Sequence, residues 1–467
     1  MRLLIIGAGE TGNHIAQELS EEHLDVTLVD ENPIHLANSQ KELNVACVRG
    51  NGTSLTVLER AGIAETDVVI AATDQDETNL ICCLLAGLYG VKTKIAVTKT
   101  ESFVKRNLIA KYLESGISEI INSSIVASKE ILDLAAFASA AEVSAFGEKN
   151  VMLIGYNMRQ ESHLVNRPLN ELRGGAQKRD FLIASIVRDG ESFIPSGRDT
   201  LKAGDYIYIL VLKEKMESLN EFLQVKVALS RRAVVAGGGH VAARVVAGLL
   251  KSHYEVTQIV GEGEPLEIKK QVHGNPHFQM VSGEADSVKL QLELDVPVCA
   301  LFIAVTQSDP LNLAAALCAK YLKAKKTIAL VNREDIARVA RVSGIDGVIS
   351  PRLSTARKVR KALYGGQGEL NFTTISETHM EVHEMVAGEG APILGMPLKN
   401  LRLPAGSLVG ALLRGGNQAI IADGETVIEA GNQVVMLTLP EGVPRLKELI
   451  EGKKTGTDRL PPRSGLD

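Results

Sequence analysis

RLLIIGAGETG, residues 2–12, is the stretch on which the fold turns. Four apolar residues, Leu3–Ile6, run straight into Gly7-x-Gly9-x-x-Gly12. A buried strand entering a tight glycine turn, followed by an amphipathic helix, opens a βαβ unit. The same phrase returns as AVVAGGGHVA at residues 233–242, where a strand meets Gly237-x-Gly239-x-x-Ala242.

Each start is followed by alternating strand-like and helix-like runs. In the first half the strand-like runs are Leu3–Ile6, Val26–Val29, Val45–Val48, Val68–Ala71, Lys94–Val97 and Glu119–Ile121. They are rich in β-branched residues and nearly continuous in apolar character, as strands buried on both faces are. A helix from Ser124 to about Phe137 is expected to complete this half. In the second half the runs are Ala233–Ala236, Val256–Val260, Phe278–Ser282, Cys299–Val305 and Thr327–Val331.

Between and after these halves the texture changes to short strands and turns, such as Asp189-Gly190 and Gly204-Asp205. Here too the chain repeats itself. PLNELR at 168–173 is echoed by PLKNLR at 397–402, and LKAGDYIYIL at 201–210 by IEAGNQVVML at 428–437. The predicted fold is α/β, with two doubly wound Rossmann-like parallel-sheet domains (1–140 and 229–364), each followed by a small α+β domain (141–228 and 365–452). Breaks are expected at Ser144–Asn150 and Gly365-Gly366, and the polar tail from 453 to 467 reads as disordered.

Composition narrows the function. A chain of 467 residues is too long for one core. A net charge of −5 lacks the basic excess of a nucleic-acid binder. The apolar runs, of which Leu80–Val91 and Leu132–Ala141 are the longest, fall short of a membrane span, which predicts a soluble chain. Cys47, Cys82, Cys83, Cys299 and Cys318 follow no metal-binding spacing and read as small buried hydrophobes in a reducing compartment. No HExxH, GxSxG or CxxC occurs, so no catalytic residue is assigned.

The candidate ligand residues lie at the strand ends of the first half. Gly7, Ala8, Gly9, Glu10, Thr11 and Gly12 form a loop whose amides and helix N-terminus suit an anion. Asp30, at the end of the second strand, has the position of an acid that accepts both hydroxyls of a ribose, and it disfavours a 2′-phosphate. Asn51, Thr73, Asp74, Glu77, Val97 and Lys99 fall at the following strand ends, with helix capping an equal reading for Glu77 and Asn79. In the second half Gly237, Gly238, Gly239, His240 and Val241 keep the turn. The expected acid falls in Val260-Gly261-Glu262, where Glu262 serves only if the strand end shifts.

GAGETG, VTLVD, the VRG-N turn and AATDQDETN in order, a small β-rich module, then the same plan again with ISP at 349–351, resemble the regulators of potassium conductance, the RCK or KTN family, although the first half reads Asn122-Ser123-Ser124 where ISP-like residues are usual. The resemblance covers about residues 1–451. It implies nucleotide-binding RCK-N (KTN) domains and smaller RCK-C domains in a cytoplasmic regulatory subunit of a Trk-type potassium-uptake system. It also implies NAD/NADH or ATP/ADP as ligand and a homo-oligomer, as a tetramer. The partner would be a potassium-translocating integral membrane subunit of the TrkH or TrkG kind, which would hold the chain at the inner face of the membrane. Where the family commonly carries arginines after the fifth strand, this chain reads Val97-Thr98-Lys99, which leaves the choice between the two nucleotide classes open. An NAD-dependent oxidoreductase and a sensor for another cation transporter remain the rival readings.

Overall fold

The structure is a computed structural model that describes residues 1–20, 24–137, 140–147, 150–172, 180–224, 230–267, 272, 274–364, 369–375, 380–415 and 418–451. The expected Gly365-Gly366 break, the tail from 453, Glu148 and Lys149 of the first break, and Arg173 of the first echo lie outside the described residues.

Contacts divide the chain into two compact units, Met1–Val143 with Val225–Tyr364, and Ser144–Gln224 with Gly365–Asp467. The first unit holds two six-stranded parallel sheets. One is built from Arg2–Ile6, Asp25–Asp30, Ala46–Arg49, Val68–Ala71, Thr93–Thr98 and Glu119–Asn122, in spatial order 3-2-1-4-5-6. The other, from Arg232–Ala236, Glu255–Val260, Phe278–Ser282, Leu301–Ala304, Thr327–Leu330 and Gly347–Ile349, has the same order. Leu3, Leu4, Ile5 and Ile6 are all buried, because helices cover both faces of the sheet. The order reverses between the first and fourth strands, and both glycine loops sit at that switch point.

The closing helices depart from expectation. The helix expected from Ser124 to about Phe137 to complete the first half runs Ser123–Ala135, and it packs on the helix His240–Lys251 of the second half. Pro351–Tyr364 makes the opposite exchange and packs on the helix Glu10–Ser20, where Ala356 and Val359 join the core of Leu3, Ile5 and Ile15. Small residues allow the approach. A Cβ on Gly248 would lie 2.4 Å from a methyl of Leu132, and one on Gly347 would lie 2.4 Å from a methyl of Leu134. Each half is therefore finished by a helix of the other.

The second unit holds two five-stranded sheets of matching topology. The first comprises Glu142–Phe146, Val151–Asn157, Phe181–Arg188, Glu191–Phe193 and Tyr206–Leu212, in order 1-2-5-3-4. The second comprises Glu369–Thr374, Glu381–Val386, Leu408–Arg414, Gln418–Ile421 and Gln433–Thr438, in the same order. The expected break at Ser144 begins as a strand running to Phe146. The two sheets share one core that includes Leu153, Tyr208, Val382 and Val435. The repeat holds in the bridges beside these phrases, since Val165 and Pro168 bridge Leu201 and Thr200 in one copy, and Leu394 and Pro397 bridge Ile428 and Val427 in the other.

Candidate functional site

The strand ends of the first unit border an open cavity of about 670 Å³, lined from both halves. From the first half it takes Gly7, Gly9, Glu10, Thr11, Asp30, Asn51, Thr73, Asp74, Val97 and Lys99. From the second half it takes Gly239, His240, Val241, Thr306, Asn332 and Arg352. Of the other candidates, Ala8, Gly12, Glu77, Gly237, Gly238 and Glu262 do not line it.

The first glycine loop is compressed to the limit of backbone contact. A Cβ on Gly12 would stand 1.8 Å from the Gly7 carbonyl oxygen, and Gly7 itself adopts φ +102° against the Ala72 backbone. These two positions need glycine. Asp30 anchors the loop. Its carboxylate accepts the Ala8 amide at 2.6 Å and the Asn32 amide at 2.7 Å, with the side chain 15% exposed. Two amides leave lone pairs of the carboxylate free for further donors. His35, which sequence reasoning passed over, lines the cavity with its Nδ1 3.6 Å from Asp30 and buried without a hydrogen-bond partner. These groups fit the ribose end of a nucleotide.

Asn79 proves to be a clasp rather than a ligand group. Its Oδ1 accepts from Thr73 N at 2.8 Å and Thr73 Oγ1 at 2.6 Å, and its Nδ2 donates to the Thr73 and Val97 carbonyls. Asp76 accepts the Lys99 and Thr100 amides. The second half repeats both devices, Asn312 holding Thr306 and the Leu330 carbonyl, and Asp309 holding the Asn332 and Arg333 amides. Asn312→Ala leaves these buried partners bare and is expected to destabilise the chain by about 2 kcal/mol. A denaturant titration that finds the variant as stable as the parent would refute the clasp.

The halves differ at the end of the second strand. Ile6 pairs Val29 and Ala236 pairs Ile259, so Val260 stands where Asp30 does. Glu262 lies beyond the strand, away from the cavity. The chain then folds back over the second loop. Glu267 N donates to the Gly238 carbonyl at 2.7 Å, and a Cβ on Gly238 would meet the Pro265 carbonyl oxygen at 2.3 Å. The second loop thus presents only Gly239–Val241 to the cavity.

Charge enters unevenly. Lys99 is 56% exposed and pairs with Asp74 at 3.1 Å. Arg352 is 18% exposed, donates to Glu10 and lies 3.4 Å from the Asn332 carbonyl oxygen. Burial holds its pKa below the ordinary arginine value. Its position in ISPR was the only sequence signal for it. The buried cysteines are far from reactive, since burial pushes Cys82 up to about 12 and Cys299 likewise.

The TrkA-N domain model matches residues 3–123 and again 233–351, and the TrkA-C domain model matches 153–224 and 382–451. The chain belongs to the TrkA-N and TrkA-C domain family. Both TrkA-N matches stop where the exchanged helices begin. Among similar proteins is the Trk system potassium uptake protein TrkA homolog 1 of Methanosarcina mazei, 29% identical over 449 residues that make up 94% of this chain and 97% of the relative. The Trk system potassium uptake protein TrkA of Haemophilus influenzae is 28% identical over 97% of this chain and 99% of its own. Among solved structures, the GsuK channel superposes with a TM-score of 0.60 at 16% identity, covering 97% of this chain and 79% of that one. The GsuK channel bound to NAD gives 0.58 at 17% identity, with the same coverage. These structures establish the tandem doubly wound fold of the family.

Proposed function

We propose that this chain is a nucleotide-responsive regulatory subunit of a potassium-uptake system, with no reaction of its own. The observation that carries the reading is a cavity lined from both TrkA-N halves. A ligand there touches elements of both, so its affinity depends on how the halves meet. A ligand shifts a conformational equilibrium only through such a difference in affinity. The ligand we assign is an adenine nucleotide, NAD/NADH or ATP/ADP. Asp30 would take the ribose hydroxyls, and the amides of Gly7–Gly12 the phosphates. Support comes from the named function of the relatives and from NAD in a structure of like fold.

No helix among the described residues is long and apolar enough to cross a membrane. The reading therefore gives ion passage to a separate integral subunit of the TrkH or TrkG kind, with this chain docked on its cytoplasmic side. It also assigns a homotetramer. Ile81, Leu84 and Leu88 form an exposed apolar stripe on the helix Asp76–Leu88, and Val339 and Val342 are exposed on Glu334–Val342, surfaces suited to further copies. A nucleotide-binding RCK-N domain at 1–140, a second RCK-N domain at 229–364 and small RCK-C domains at 141–228 and 365–452 complete the proposed plan.

The test is calorimetric titration of the full chain with ADP, ATP, NAD and NADH. It is paired with light scattering and with potassium flux into vesicles holding the membrane subunit. Micromolar binding, a tetrameric mass and flux that changes with nucleotide are expected. Absence of binding by all four, or flux indifferent to bound nucleotide, would overturn the reading. Steady consumption of NADH by the chain would overturn its lack of a reaction.

A further inference from the structure

The first glycine loop has an unusual neighbour. Arg352 is the second residue of the helix Pro351–Tyr364, which belongs to the second half but packs on the first. The exchange of helices brings its guanidinium to the wall of the cavity that Gly9 and Thr11 also line, in contact with Glu10. Its present anion is the carboxylate of Glu10, the first residue of the helix that leaves the glycine loop. That carboxylate therefore sits where a helix N-terminus and a half-buried cation converge. It is the place a phosphate group would be attracted to.

The two partners are held unequally. Arg352 is 18% exposed, whereas Glu10 is 65% exposed and can turn into water at little expense. The cation is thus fixed and the anion replaceable. The closing helix of the first half supplies the comparison. Asn122 caps Ser123–Ala135, and Ser350 precedes Pro351–Tyr364 at the same place, so Ser124 corresponds to Arg352. Ser124 brings no charge to the second loop. Lys99, the first half's own cation at this cavity, is largely exposed and bound to Asp74.

The geometry points to Arg352 as a phosphate ligand supplied by the second half to the nucleotide held by the first, with Glu10 as a resident carboxylate that the phosphate displaces. This inference rests on the nucleotide reading above and adds the residue that recognises the phosphates and the direction from which it comes. It makes the site one per chain, because acid, open loop and cation all fall on the Asp30 side. It also makes the phosphate the tie between the halves: adenosine alone engages the first half, whereas a phosphorylated nucleotide engages both.

The experiment is calorimetry on the full chain with adenosine, AMP, ADP and NAD, using the parent, Arg352→Gln, Arg352→Lys and Glu10→Gln. Arg352→Gln is expected to weaken ADP and NAD by about 10- to 100-fold while leaving adenosine unmoved, the loss expected from charge-assisted hydrogen bonds. Arg352→Lys should recover part of it, and Glu10→Gln should tighten ADP several-fold by removing the competitor. Thermal melts of each variant without nucleotide register any general damage. Equal weakening of adenosine and ADP, or unchanged ADP binding in Arg352→Gln, would overturn the inference and leave the nucleotide reading standing. A parent chain that binds none of the four would overturn both.

Discussion

Asp30→Ala is expected to lower nucleotide affinity at least 100-fold, about 2.7 kcal/mol. Two effects add. The proposed bonds to the ribose hydroxyls, each worth about 1.5–3 kcal/mol as charge-assisted contacts, would be lost. The glycine loop also loses its anchor, because the same side chain holds the amides of Ala8 and Asn32. Asp30→Asn separates the two effects. It keeps an acceptor for Ala8 but not the charge, so the loop should stay in place while binding falls by an intermediate amount. Calorimetry gives the affinities, and thermal melts without nucleotide report the loop. Wild-type affinity in Asp30→Ala would place the ligand somewhere other than the first half.

Lys326→Met is expected to destabilise the first unit by about 2–4 kcal/mol. Lys326 is 1% exposed, and its Nζ donates to the carbonyls of Leu134 and Phe137 at 2.6 Å each. These carbonyls end the exchanged helix Ser123–Ala135, so a lysine of the second half caps a helix of the first. Burial depresses its pKa from 10.5 to about 7, against a smaller opposing pull from Asp346, which also pairs with Lys320. The unfolded lysine then holds a proton that the folded one has released between about pH 7 and 10.5. Stability should rise with pH across that window, and the full penalty of the buried charge should be felt below it. Denaturant titrations at several pH values check both points. The parent should gain stability from pH 7 to 10, and Lys326→Met should lose that gain. Identical slopes in the two proteins would refute the assignment.

Much of this was legible in the chain. The glycine loops, the parallel strands and the four-part repeat follow from apolar runs and glycine spacing, which local sterics enforce. Asp30 was readable because its place at a strand end is local too. The missing acid of the second half was visible as Val260, though the fold-back of Pro265–Glu267 over Gly238 was not. The strand Gly347–Ile349 went unseen because three residues give no period. The destination of the closing helices was hidden for a different reason. An amphipathic pattern in Ser123–Ala135 states that one face is buried but not which surface buries it. Arg352 was missed on that account, since its role depends on a partner loop some 340 residues earlier.

The exchange of helices also sets a schedule for synthesis. The first half has all six strands once residue 122 has emerged, yet the helix that covers Ile15 and Leu3 ends at Tyr364. At about 5–20 residues per second, the ribosome needs roughly ten to fifty seconds to deliver it. During that interval the nascent first half carries an uncovered apolar face, which its own helix closes only once the chain has grown past Tyr364. Two chains growing side by side on one message could trade these helices with each other instead, so crowded polysomes are where misassembled dimers of this chain should arise.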